Sequence, residues 1–255
     1  MMEARFTFDR VASLYDEVRS GYLAELYQLL ASMVPAESAM LEVGCGTGKA
    51  TVGFAAHGLD IVALYPGASM IEEAAVHLQE NDRVRFVQSP FEDWTPDSDV
   101  FDLIAAAQAW HWVPPEVGLA KAAALLRPDG VLAIFGSEWA VADPGVRDAI
   151  DETYARSAPE LQNSPLGTWY LLDGPLPAMI AGSGLFRDLH HQSFAWARTL
   201  STQSYLGMLR TLSNHQGLGL ERPQALMVAV DDAARPFGDA VELSYETHLH
   251  YCRRS

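Results

Sequence analysis

The sequence predicts an α/β fold: a mostly parallel, seven-stranded sheet flanked by helices. Two observations predict it. Short apolar runs bounded by glycine or proline alternate with stretches whose apolar residues recur at helical spacing, a cadence that calls for right-handed βαβ crossovers. The first of these runs, residues 39–43, stops at Gly44-Cys45-Gly46-Thr47-Gly48, a turn whose glycines let bare backbone approach a ligand at the carboxyl end of a strand.

The elements follow in order. Phe8, Val11, Ala12, Tyr15 and Val18, then Leu23, Leu26, Tyr27, Leu30 and Met33, mark two helices broken near Ser20-Gly21, the second ended by Pro35. After the strand 39–43, residues 47–57 read as a helix capped by Gly58. Strand 60–64, helix 67–79, strands 84–88 and 100–106 and helix 115–126 come next, and Pro128-Asp129-Gly130 makes a turn into strand 131–136. Beyond Glu138 the rhythm loosens: helix 140–156, a Pro/Gly-rich stretch 159–177, a short helix 175–183, strand 186–196, helices 202–212 and 222–236, and a last strand 241–251. No repeat and no low-complexity linker interrupts the chain, which reads as one domain, 1–255, with insertions.

Composition narrows the partners. Seventeen Lys and Arg stand against 33 Asp and Glu, a formal charge of -16, so a nucleic-acid backbone or an anionic membrane is not the expected partner. Cys45 and Cys252 make neither a disulfide framework nor a zinc pattern, and no metal is expected. No apolar leader opens the sequence and no apolar run reaches about 20 residues, so the cytoplasm is the expected compartment. The oligomeric state is left open.

The glycine spacing is informative against its competitors. In the dinucleotide pattern G-x-G-x-x-G the third glycine falls at position 49, where this chain has Lys49. The P-loop fails as well, because Gly48-Lys49 is followed by Ala50 and Gly44 is not five residues before Gly48. An uncharged nucleoside fits better than a phosphate.

Glu42-Val43-Gly44-Cys45-Gly46-Thr47-Gly48 resembles the first motif of class I S-adenosylmethionine-dependent methyltransferases. The chain is similar to the bacterial type 11 group, which includes trans-aconitate methyltransferase-like proteins. Phe8-Asp9-Arg10-Val11-Ala12 with Leu14-Tyr15-Asp16, Arg19 and Tyr22 resembles the group's N-terminal helix. Pro90-Phe91-Glu92-Asp93-Trp94, Ala109-Trp110-His111-Trp112 and Leu125-Leu126-Arg127-Pro128-Asp129-Gly130 resemble its later motifs, so the likeness covers residues 6–136.

The resemblance implies a Rossmann-like sheet with an antiparallel last strand and helical insertions on the acceptor side. It divides the chain into helices covering the cofactor (1–34), a cofactor-binding core (35–136) and acceptor-side insertions with the last strands (137–255). It further implies S-adenosyl-L-methionine as cofactor. Gly44, Cys45 and Gly46 would pass along its methionine part, with Glu42 supporting the ammonium. Pro90, Phe91 and Glu92 would meet the adenine, and Tyr15 and Arg19 the cofactor mouth. Pro66 and Met70, beyond the second strand, and Ala107 and Gln108, at the end of the fourth, join the same site. Phe91 and Tyr15 each have a plain packing alternative, and Glu42 could instead orient the loop.

One position departs from the family. The second strand usually ends in an acidic residue that holds both ribose hydroxyls, and here Tyr65 stands in that place. His111, between two tryptophans at a strand's carboxyl end, is the expected base or acceptor-orienting group. Trp139, Trp169, Tyr170 and Arg210 are expected to read a small-molecule acceptor, with oxygen and nitrogen both open as the methylated atom. His190 and His191 are expected on opposite faces of one strand, with His248 and His250 sharing a face of another. Two other readings stay open: a nicotinamide-dependent oxidoreductase, and an S-adenosylmethionine-binding protein whose transfer activity is lost or altered.

Overall fold

A computed structural model of the chain describes residues 4–96, 100–161, 168–216, 218 and 222–255. Seven strands form one sheet among these residues: β1 (Ala39–Val43), β2 (Asp60–Tyr65), β3 (Val84–Gln88), β4 (Phe101–Ala107), β5 (Leu126–Val141), β6 (Phe186–Ser201) and β7 (Ala240–Arg254). The order is β3-β2-β1-β4-β5-β7-β6, a Rossmann-like arrangement in which the first five strands are parallel and the last strands antiparallel. The helices are α1 (Ala12–Val18), α2 (Ala24–Ser32), α3 (Thr51–Ala55), α4 (Ala68–Leu78), α5 (Pro115–Leu125), α6 (Pro144–Ser157), α7 (Pro175–Ser183), α8 (Thr202–Arg210), α9 (Ser213–Gln216) and α10 (Arg222–Ala234).

The chain divides into two compact units. One comprises residues 20–137, 168–194 and 247–255 and holds β1 to β4 with α2 to α5 and α7. Its central strands are apolar along their length because helices cover both faces: Met40, Leu41, Leu103, Ile104, Ala105, Val131, Leu132, Ala133 and Ile134 are all at most 1% exposed. The register sets Val43 beside Leu64 and Glu42 beside Ala105, so strands β1, β2 and β4 end together at one carboxyl edge.

The other unit comprises residues 1–19, 138–167 and 195–246 and is mostly helical, with α1, α6, α8, α9 and α10 around a separate apolar cluster. Val146, Ile150, Leu206, Leu209, Leu226 and Val230 fill that cluster. Asp143 caps α6, its carboxylate accepting from the Val146 N–H at 3.0 Å, with Pro144 in the first helical position.

Several boundaries differ from the sequence reading, among them the end of β6, which runs on to Ser201. The helix expected over 47–57 is confined to Thr51–Ala55, because Gly48 has φ +80 and cannot continue a right-handed helix. The Pro-Asp-Gly segment is no separate turn before β5 but lies inside it. Phe101 pairs with Leu126 and Leu103 with Val131, so the intervening residues bulge, with Asp129 at φ +65. Ala140 and Val141 belong to the end of β5, and the helix begins only at Pro144. Of the stretch expected over 159–177, residues 162–167 lie outside those described.

Candidate active site

The turn after β1 takes its shape from three glycines with positive φ, at 44, 46 and 48. The amides of Gly44 and Cys45 both donate to the Leu64 carbonyl, at 2.9 and 3.0 Å, which ties the loop to the end of β2. Two of these glycines differ in kind. A Cβ on Gly44 would lie 2.3 Å from the Ala109 Cβ, so the main chains approach too closely for any other residue. A Cβ on Gly46 would meet nothing within 4 Å, so that backbone faces open space.

Beneath the loop lies Glu42, 1% exposed, with neither carboxyl oxygen hydrogen-bonded among the described residues. Burial pushes its pKa up to about 7, an effect tempered by the Thr51 hydroxyl facing it. The hydroxyls of Thr47 and Thr51, both buried, are likewise without hydrogen-bond partners. Burial, then the charge of Glu42, raises the Tyr27 phenol and the Cys45 thiol, so Cys45 is an unreactive thiol there.

Around this loop the same unit assembles the other candidates. Tyr65 ends β2 half-buried, opposite Gln88 of β3, whose side-chain amide donates to the Pro66 carbonyl at 3.3 Å. Met70 is buried in the first turn of α4. Phe91, 3% exposed, packs on Trp110 with ring centroids 5.9 Å apart. The segment 90–94 is held by a residue the sequence reading passed over: Lys121 of α5 donates to the carbonyls of Glu92, at 3.0 Å, and Trp94, and its ammonium lies 5.2 Å from the Phe91 ring centre. A lone lysine in a helix whose other charged residue, Glu116, lies in the first turn was the available signal.

Beyond Ala107, Gln108 adopts φ +52; its amide donates to the Phe135 carbonyl at 2.8 Å and its side chain to the Ser137 carbonyl at 2.9 Å. His111 follows in a 3-10 turn, Trp110–Trp112. Its Nδ1 lies 2.8 Å from the Tyr170 hydroxyl, and its ring has Trp112 (4.9 Å), Tyr170 (5.9 Å) and Trp169 (6.1 Å) as aromatic neighbours. Burial pushes the His111 pKa down to about 4, so the imidazole is neutral at physiological pH. Thus His111, Trp169 and Tyr170, expected to act together, form one cluster.

The other unit holds Tyr15, Arg19, Trp139 and Arg210. The Arg19 guanidinium lies 5.2 Å from the Tyr15 ring centre, and its Nε donates to Thr211 Oγ1 at 2.8 Å. Trp139 packs edge-on against Tyr205, whereas Arg210 is exposed at the end of α8. Glu138, half-buried, is pushed up to about 7 by desolvation. His215 has Nε2 2.7 Å from the Tyr154 hydroxyl and Nδ1 2.9 Å from Asn214 Oδ1.

The remaining histidines part as expected: His190 stacks on Tyr251, while His191 meets His248 and His250. No group of three or more His, Cys, Asp or Glu among the described residues is arranged to hold a metal ion, and no described helix is long and apolar enough to cross a membrane.

Comparison with known proteins converges on this core. A family model described as a methyltransferase domain, of the type 11 group, matches residues 41–134. An uncharacterized methyltransferase of Mycobacterium tuberculosis is 32% identical over 128 residues, covering 50% of this chain and 51% of that protein. A probable S-adenosylmethionine-dependent methyltransferase of Saccharomyces cerevisiae is 27% identical over 128 residues, 48% of this chain and 43% of its own length. The chain therefore spans about half the length of the curated relatives it matches. Among solved structures, one named a type II methyltransferase from Anaeromyxobacter dehalogenans superposes with a TM-score of 0.66 at 24% identity, covering 92% of this chain and 97% of that one.

Proposed function

Because residues 41–134 form a methyltransferase domain of the class I, type 11 group, we propose that the chain binds S-adenosyl-L-methionine and methylates a small molecule. The observation that carries the reading is Glu42: a buried carboxyl with neither oxygen hydrogen-bonded among the described residues, set beneath a loop whose Gly46 faces open space. Leaving such a group unpaired costs about 1–3 kcal/mol, and an ammonium is the partner that would offset this. The cofactor's α-amino group is an ammonium, so the residues present fit it. When bound, S-adenosylmethionine supplies a sulfonium methyl that is already electrophilic.

The chain then has to bind, align and exclude water. Glu42 holds the ammonium, while Gly44, Cys45 and Gly46 present main chain along the methionine part. Pro66 and Met70 line the site beyond β2. Phe91, on a segment braced by Lys121, presents an apolar face to the adenine, with Pro90 and Glu92 beside it. Ala107 and Gln108 form the edge toward the acceptor. His111, neutral and desolvated, orients the acceptor and takes its proton where one must leave. Trp169 and Tyr170 make the acceptor surface around His111 aromatic. Oxygen and nitrogen acceptors both satisfy this chemistry, and the acidic surface favours a small molecule over nucleic acid.

Tyr65 favours a second reading, of altered or lost transfer. A phenol replaces the carboxylate that would accept from both ribose hydroxyls, and charge-assisted bonds are worth about 1.5–3 kcal/mol each. A thermal-shift panel of S-adenosylmethionine, S-adenosylhomocysteine, NADH and NADPH tests the assignment. Stabilisation by the two adenosyl ligands is expected; stabilisation by a nicotinamide cofactor alone would overturn it.

A further inference from the structure

We propose that His250 is a positioning residue for His111, acting through Tyr170; this rests on the role given to His111 above. His250 lies on β7, 1% exposed, and its Nε2–H donates to the Tyr170 main-chain carbonyl at 2.7 Å. The hydroxyl of the same tyrosine meets His111 Nδ1 at 2.8 Å. Tyr170 thus has its main chain held by one imidazole and its ring engaged with another, and the two histidines are joined by a single residue.

The geometry around Tyr170 leaves it little freedom. A Cβ on Gly136 would lie 2.4 Å from Gln108 Oε1 and 2.5 Å from Tyr170 Cδ2, so the tyrosine ring and the Gln108 side chain are both seated against bare β5 backbone. The turn that carries Tyr170 closes tightly, since a Cβ on Gly174 would lie 2.3 Å from the Thr168 carbonyl oxygen. His250 in turn is held by imidazoles: its ring centroid is 4.7 Å from that of His191 on β6, and His191 Nε2 lies 3.2 Å from His248 Nδ1. A carbonyl accepts only, so the Tyr170 contact fixes the proton of His250 on Nε2. Its Nδ1 is buried without a hydrogen-bond partner among the described residues, and the donor to Tyr170 is the polar contact that accounts for a histidine here. The titratable groups facing His250 are His191 from β6 and His248 from β7.

The arrangement makes the setting of His111 depend on a residue that does not touch it. Imidazole nitrogen NMR titration of His111 reads this directly, with S-adenosylhomocysteine calorimetry as the control. In His250→Leu, His111 should titrate above about 4, toward its ordinary 6.5, because Tyr170 loses its anchor and water reaches the ring. In His250→Gln, whose side-chain N–H can stand where the imidazole donor stood, the wild-type value should return. Tyr170→Phe removes the hydroxyl that His111 Nδ1 meets without opening the site to water or disturbing β7, so His111 should titrate below the wild-type value rather than above it, which keeps the test open if the leucine variant does not fold. An unmoved His111 in Tyr170→Phe, or equal shifts in the leucine and glutamine variants, would overturn the proposal. The titration needs no turnover, so it succeeds or fails apart from the methyl-transfer assignment.

Discussion

His111 and Tyr170 stand 59 positions apart in sequence, yet their side chains meet with 2.8 Å between Nδ1 and the phenol oxygen. If Nδ1 donates to that oxygen, Nε2 carries the lone pair, which is the tautomer a base requires. Replacing His111 by Ala should therefore lower kcat by about 10²–10⁴-fold and leave the Kd for S-adenosylhomocysteine within about threefold. Steady-state rates and calorimetry on one preparation check this. Equal losses in both quantities would make His111 a structural residue.

Glu42 should make cofactor binding depend on pH. Its carboxyl, raised to about 7 in the free protein, must lose its proton to pair with an ammonium. Affinity should then rise by about tenfold per pH unit from pH 5 toward 7 and level off above. Calorimetry from pH 5 to 8 reads this slope, and Glu42→Gln should flatten it.

The same group acts on stability with the opposite sense to the buried histidines. A carboxyl raised from 4.5 to about 7 contributes stability that is complete below 4.5 and is lost as pH rises through 7. His111 and His215, both lowered to about 4, contribute stability present above 6.5 and lost as pH falls through 4. Thermal unfolding of the ligand-free protein should therefore peak between these flanks, and Glu42→Gln should reduce the decline on the alkaline side, to which Glu138, also raised to about 7, contributes as well, and leave the acid side unchanged.

Much of this fold was legible because the signals were local. An apolar run closed by glycines set β1 at 39–43, and Pro175 with Gly184 framed α7. The glycine spacing pointed to the site itself. What could not be read depends on register between distant segments. The bulge at Asp129 exists because β5 must realign with β4, and no local pattern encodes that offset. Likewise, His191 and His250 were placed on their strands correctly, but only the pairing of β6 with β7 brings them together. Lys121 hid within an apolar helical period, where nothing local reveals the two carbonyls it reaches.

The loop glycines should separate folding from binding. Gly44→Ala combines positive φ with a 2.3 Å clash against Ala109, so a loss well above the cost of strain alone, about 1–3 kcal/mol, is expected in denaturant unfolding. Gly46→Ala carries positive φ without a clash and should cost only about 1–2 kcal/mol while weakening S-adenosylhomocysteine markedly. If Gly46→Ala binds as the wild type does, the cofactor does not pass over that backbone.

Tyr65 is the sharpest test of how the ribose is held. It ends β2 paired in register with Gln88 of β3, in the place where the family's carboxylate would stand. Tyr65→Glu restores an anionic acceptor for two hydroxyls. Gaining bonds of about 1.5–3 kcal/mol, discounted for exposure at a half-buried position, should tighten S-adenosylmethionine by about ten- to a hundredfold in calorimetry. A deoxyribose analogue of the ligand should lose that gain, because the new carboxylate would have one hydroxyl fewer to hold. If Tyr65→Glu leaves affinity unchanged, the phenol is no weakened substitute, and the ribose is bound by other groups or in another geometry.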